Sequence, residues 1–298
     1  MYKKMLVLLD GSTLSEVVFS YAQELSGRLC LDLELLHVCS TQEAEQLPMR
    51  QAYMEHMAEV LQKKAEEVRS KCGDTSQDHC IAAKSSVVVG YPPEEILKYI
   101  DQNDIDIVML STHGRSGIKA WDLGAVASKV IHATKIPVWL VPSELREEVI
   151  SDKIPLRTMV IPLDGSKLSE QVIPHAINIA KQRAAESEMV LVFVDNDIVG
   201  VPMNQEALNL RKENLAVMQK YLDTKVEEIK AAGIQARSKI LTGNPAEAII
   251  DFVKYNPPQL IAMATSSHTG LSRMLFGSVT ENVINLIKKT PIFLIRPQ

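Results

Sequence analysis

The chain repeats itself. Met-Leu-Val-Leu-Leu-Asp-Gly-Ser-Thr-Leu-Ser-Glu at 5–16 returns as Met-Val-Ile-Pro-Leu-Asp-Gly-Ser-Lys-Leu-Ser-Glu at 159–170. Val-Gly-Tyr-Pro-Pro-Glu-Glu-Ile at 89–96 matches Thr-Gly-Asn-Pro-Ala-Glu-Ala-Ile at 242–249. Ile-Val-Met-Leu-Ser-Thr at 107–112 matches Ile-Ala-Met-Ala-Thr-Ser at 261–266, and the stretch at 123–131 matches that at 276–284. Asp10 and Asp164 lie 154 positions apart, Gly90 and Gly243 153 apart. Four collinear anchors at a nearly constant offset mean one domain written twice, and a period this long must be recognised before any fold is assigned.

The length of 298 residues fits that reading, at about 150 residues per domain. The copies are placed at 1–142 and 156–298, with a linker at 143–155. Between Pro142 and Pro155 the chain carries Glu144, Arg146, Glu147, Glu148, Asp152 and Lys153, a linker composition. Hydrophobic residues are 46% and charged residues 23%, which suits two globular cores without metals or disulfides. The net charge of −5, with no Lys/Arg cluster, speaks against nucleic-acid and anionic-membrane partners. The cysteines at 30, 39, 72 and 80 form no C-x-x-C pair, and small apolar side chains in a reducing compartment are the reading. The first apolar run stops after five residues at Asp10, too short for a signal peptide or a membrane span, so a cytoplasmic location is expected.

In each half short apolar runs alternate with helical patterns. Residues 5–9 are continuously apolar, as in a strand buried on both faces. Leu14, Val17, Val18, Tyr21, Ala22 and Leu25 then follow helical spacing, with Thr13 and Glu16 placed as a capping box. Further strands are expected near 33–38, 84–89, 106–111 and 137–141, and in the second half near 158–163, 189–194, 236–241, 259–264 and 291–296. Helices are expected over about 50–72 and 120–134, and from Pro92 or Pro93 onward. Strand-helix alternation of this kind implies an α/β fold with a parallel sheet covered on both faces. Ligands then bind beyond the carboxyl ends of the strands, where strand order reverses. That directs attention to the loops after strands one and four. Asp104 and Asp106 fall at the other end and read as solvated.

The first loop is Asp10-Gly11-Ser12, repeated as Asp164-Gly165-Ser166. Glycine allows a tight strand-to-helix turn, and the helix end offers free N–H groups to an anion. The aspartate would accept hydrogen bonds from a base or ribose. The plainer alternative is that Asp and Ser cap the helix. The second loop begins Ser111-Thr112-His113-Gly114, with Gly124-Ala125 at the next helix start; its copy runs from Ala264 through Ser267 to Gly277-Ser278-Val279-Thr280. Backbone amides there would cradle phosphate, or simply begin a helix. No P-loop, G-x-G-x-x-G or H-E-x-x-H motif is present. His113 and His268 are the histidines near these loops and read as solvated. Met203, Met218 and Leu222 read as core rather than as a groove.

Both halves resemble the universal stress protein domain along their whole length. The resemblance rests on the Leu-Asp-Gly-Ser start, the Gly-x-Pro before the third helix and Gly-Ser-Val-Thr-Glu-x-Val-Ile in copy two. It implies two tandem five-stranded parallel sheets of order 3-2-1-4-5, sandwiched by helices and adenine nucleotide alpha hydrolase-like. It also implies pairing of the two halves through strand five, which would cover the apolar edge at 137–141. Members that bind ATP carry G-x2-G-x9-G-(S/T) after strand four. Copy one has Ser111 at the first glycine, keeps Gly114 and Gly124, and has Ala125 at the hydroxyl position. Copy two has Ala264 and Ser267 at the first two glycines and keeps Gly277 and Ser278. Losing the hydroxyl at 125 removes a neutral donor of roughly 0.5–1.5 kcal/mol.

Carried over position by position, the binding set in copy one is Asp10, Val38, Ser111, His113, Gly114, Gly124 and Ala125. In copy two it is Asp164, Val194, Ser267, Gly277, Ser278, Val279 and Thr280. The resulting expectation is a stress-response regulator, not an enzyme, that binds ATP, with Mg as an accompanying ion, in at least one domain. A nucleotide-free interaction module and a slow ATPase stay open as alternatives, as do an unknown protein partner and a homodimer.

Overall fold

The computed structural model describes residues 1–11, 17–72, 80–112, 123–142, 144–150, 157–183, 186–196, 204–265 and 277–297. The chain divides into two compact units, Met1–Lys153 with Lys288–Arg296, and Ile154–Ile287 with Pro297–Gln298. The Thr13–Glu16 capping box, His113, Gly114, Met203, Ser267 and His268 lie outside the described residues.

The first unit runs β1 (Lys4–Leu9), α1 (Val17–Leu29), β2 (Asp32–Cys39), α2 (Leu47–Lys71), β3 (Ala83–Val89), α3 (Pro92–Gln102), β4 (Ile107–Ser111), α4 (Ala125–Ala133), β5 (Val138–Val141) and α5 (Glu147–Ile150). The continuous apolar runs become strands because helices cover both faces: Met5 to Leu9 and Ile107 to Ser111 are buried throughout. β1 is central, with Val7 opposite Leu35 on β2 and Met109 on β4, all parallel. The order is β3-β2-β1-β4-β5, followed by a further strand, β10 (Ile292–Ile295), whose sequence ends the second repeat. β10 is antiparallel to β5, with Phe293 opposite Trp139. Strand five of copy one and strand five of copy two therefore pair, and all four β5 residues are buried.

α1 and α2 approach closely at Gly27, where an added Cβ would lie 2.5 Å from the Ala65 carbonyl oxygen and 2.7 Å from Val68 Cβ. The charged link between the repeats contains the single helical turn α5, which buries Val149. Two sequence expectations change here. Asp106 is not merely solvated: its Oδ2 accepts the Lys3 and Lys4 N–H groups at 2.7 and 2.9 Å, fixing the start of β1. Cys72 and Cys80 are exposed rather than packed.

The second unit runs β6 (Arg157–Pro162), α6 (Lys167–Glu170), α7 (Val172–Gln182), β7 (Ser187–Asp195), α8 (Gln205–Ala231), β8 (Gln235–Thr242), α9 (Pro245–Tyr255), β9 (Leu260–Ala264) and α10 (Ser278–Leu286). Its strands follow the order β8-β7-β6-β9, which is 3-2-1-4 again. The fifth strand expected of this copy is β10, which packs with the first unit. Leu222, Val226 and Ile229 bury one stripe of α8. No helix among the described residues is long and apolar enough to cross a membrane.

Candidate functional site

In the first unit the carboxyl ends of β1, β2 and β4 and the starts of α3 and α4 enclose a cleft of about 560 Å³. That volume lies within the few-hundred to thousand Å³ range of small-molecule sites. Leu9, Leu36, Val38, Pro92, Ile96 and Leu110 give it apolar walls. Asp10, Ser40, Gln42, Glu43, Ser111 and Thr112 supply the polar groups, and Gly124 to Ala127 bring in the first turn of α4. Asp10, Val38, Ser111, Gly124 and Ala125, named from sequence, thus meet at one cleft. They do so because parallel strands all deliver their carboxyl ends to the same side of the sheet.

Local backbone explains the two glycine turns differently. Gly11 has φ +76°, the left-handed region that glycine occupies without the cost a side chain would add. Gly124 has φ −54°, and among the described residues an added Cβ would meet only the Thr112 carbonyl oxygen, 3.8 Å away. Neither the backbone angle at 124 nor the described neighbours demand glycine there. Gly124 N–H donates to the Thr112 carbonyl at 3.2 Å, tying the helix start to the end of β4. The N-cap of α4, Gly124, has no side chain to offer the first-turn amides, which a helix start leaves without intrahelical partners.

The sequence reading did not pick out Ser40, Gln42 and Glu43, which follow β2 in the 3₁₀ turn region Thr41–Gln46 and just before it. Glu43 Oε2 accepts both the Ser40 N–H and the Ser40 hydroxyl, at 3.2 and 3.1 Å. The Ser-x-x-Glu spacing at 40–43, half of a capping box, was the available signal.

The corresponding turn in the second unit is occupied locally. Gly165 has φ +82°. Asp164 Oδ1 accepts the Ser166 N–H at 2.9 Å, and Ser166 Oγ accepts the Ser169 N–H at 3.1 Å as the N-cap of α6. Burial pushes the Asp164 carboxyl up, but hydrogen bonds from Ser166 and Ser169 outweigh it and hold the carboxyl below its ordinary value. Met218 of α8 reaches over the turn, its Cε 3.0 Å from where a Cβ on Gly165 would stand. In this copy Ser166 caps the helix and Asp164 braces the turn before it. At the second loop Gly277 precedes α10 with φ −61° and no side-chain cap. Ser278 is exposed, Val279 half-buried and Thr280 buried; Val194 is half-buried near the end of β7. Among the described residues no cluster of His, Cys, Asp or Glu is arranged to hold a metal ion.

The family model for the universal stress protein family matches residues 1–142 and again 155–296. A universal stress protein of Methanocaldococcus jannaschii is 37% identical over 131 residues, covering 43% of this chain and 75% of that protein. One of Synechocystis is 22% identical over 311 aligned positions, covering 97% of this chain and 98% of its own length. The crystal structure of a universal stress protein from Archaeoglobus fulgidus aligns over 98% of both chains with a TM-score of 0.65 at 22% identity, a likeness of fold. With both repeats matched by one domain model and the sheet order in place, the chain belongs to the universal stress protein family as a tandem, two-domain member.

Proposed function

We propose that the first unit binds an adenine nucleotide, ATP, in the cleft between β1, β2, β4 and α4, without turning it over, and that occupancy regulates a response to stress. One observation carries the reading: Asp10 and the first turn of α4, which opens on a glycine, line the same apolar-walled cleft. The walls suit a base, the Asp10 carboxylate suits hydroxyl or amine donors, and the α4 amides with their dipole suit phosphate. Gly124 supports the same reading, because a bare Cα there leaves room for a ligand beside it that the described neighbours do not fill. The described lining holds the carboxylates Asp10 and Glu43 and no Lys or Arg. Phosphate recognition by the described part of the site therefore falls to the α4 amides, and a Mg ion would arrive with the phosphates rather than with a prebuilt ligand set.

Native mass spectrometry of the full chain tests this. A mass increment matching ATP, present as purified or restored by added ATP, is the expected result; a spectrum unchanged by saturating ATP contradicts it. Incubation with ATP should release no phosphate above the buffer control.

A further inference from the structure

The two copies treat the start of their third helix differently. In α9 Asn244 is the N-cap, and its Oδ1 accepts the Ala246 and Glu247 N–H groups at 3.0 and 3.3 Å. The same repeat position before α3 is Tyr91, which makes no side-chain cap bond. The neighbouring residues explain why α3 tolerates this. Pro92 and Pro93 occupy its first two positions, where α9 has Pro245 and Ala246. Proline has no N–H, so the donor that Asn244 caps at Ala246 does not exist at Pro93. The next donors, Glu94 and Glu95 N–H, both reach the Tyr91 carbonyl at 3.1 Å. The second proline thus frees position 91 from capping.

Tyr91 spends that freedom on α4. Lys129 Nζ donates to the Tyr91 hydroxyl, meeting the ring at its oxygen edge. Lys129 sits one turn beyond Ala125, and the matching residue of α10 is Asn282. The two helices joined by this contact are the ones whose first turns, at Pro92 and Ile96 and at Gly124 to Ala127, form facing parts of the cleft.

We propose that Tyr91 and Lys129 form a latch between α3 and α4 that sets the width of the first unit's cleft and slows ligand exit, a device the second unit lacks. The proposal rests on the nucleotide reading for the identity of the ligand, but the latch itself is a property of the free protein. Both side chains are positioning residues. Because both are exposed, their hydrogen bond adds little to overall stability.

The test uses the full chain with Tyr91→Asn, Lys129→Asn and the double variant, each placing the second copy's residue in the first. Stopped-flow chase of N-methylanthraniloyl-ATP should show dissociation about two- to fivefold faster in each single variant, in line with one exposed hydrogen bond from the lysine ammonium to the phenol oxygen. The double variant should be no faster than the singles, and Lys129→Arg should restore slow exit. The thermal midpoint should be unchanged. In ligand-free protein, amide hydrogen exchange in the first turns of α3 and α4 should rise in the variants. Wild-type dissociation and exchange rates in both single variants overturn the latch, as do additive effects in the double. If the wild type does not bind the analogue, the nucleotide reading fails and the exchange data alone decide: faster exchange supports the latch, unchanged exchange overturns it.

Discussion

Trp139 of β5 meets Phe293 of β10 edge to face, ring centroids 5.4 Å apart and planes at 71°. Each residue is fully buried and the two are opposite one another in an antiparallel ladder, although 154 positions separate them in the chain. Tyr21 and Tyr2 extend the cluster, at 6.1 Å from Trp139 and 6.3 Å from Phe293. The final strand of the chain therefore completes the core of the first unit. Phe293→Ala should cost about 3–5 kcal/mol, as buried aromatic truncations do. Urea unfolding followed by tryptophan fluorescence, with both tryptophans of the chain in the first repeat, should show the loss in the transition of the first unit.

The same relationship gives a second expectation. A chain ending at residue 142 leaves β5 with one edge unpaired and its apolar side chains bare on that side. An unprotected apolar edge recruits another strand. Such a fragment should dimerise or aggregate at concentrations where the full chain does not, as read by sedimentation velocity.

Gly27 tests how far helix propensity can be overridden. Alanine is favoured over glycine in a helix interior by about 0.5–1 kcal/mol. Here its Cβ would stand 2.5 Å from a backbone carbonyl oxygen and 2.7 Å from Val68 Cβ, so α1 and α2 must part. Overpacking of this kind costs about 1–3 kcal/mol, more than the propensity gain. Gly27→Ala should lower stability in chemical denaturation even though it removes a glycine from a helix.

Acid should weaken the fold before any carboxylate titrates. Burial lowers the His175 imidazole below its ordinary value of 6.5. Burial first, and then the Arg296 cation, do the same to His132. The unfolded chain thus takes up protons at these groups at higher pH than the folded chain. Their contribution is fully present above about pH 6.5 and is lost as pH falls through that value toward the depressed folded values. Urea midpoints at pH 8, 6 and 5 should decline in that order, and His175→Gln should flatten the decline.

Much of this was legible because the physics is local and repeated. Strands such as Met5–Leu9 announced themselves as continuous apolar runs buried on both faces, and duplication removed the ambiguity of any single run. The cleft followed from topology, since Asp10, Ser111 and Gly124 share the carboxyl end of one parallel sheet. What stayed hidden depends on contacts that sequence spacing does not encode. Ser40 and Glu43 join the cleft only because β2 lies beside β1. Sequence spacing also does not say that Met218 of the distant α8 lies over the turn in which Asp164 and Ser166 are bonded. The meeting of Tyr91 with Lys129 depends on how α3 packs on α4, which no local pattern states.

Isothermal titration of the full chain with ATP, wild type against Gly124→Val, tests the central claim most directly. Valine is compatible with the φ −54°, ψ 142° backbone at 124 and among the described residues has ordinary clearance from the Thr112 carbonyl, so the fold should persist at a cost of about 1 kcal/mol for the poorer N-cap. The account predicts saturable heat for the wild type and affinity reduced by about tenfold or more in the variant, because its side chain takes the space a ligand needs beside the α4 amides. No heat from the wild type, or equal affinity in both proteins, would contradict it.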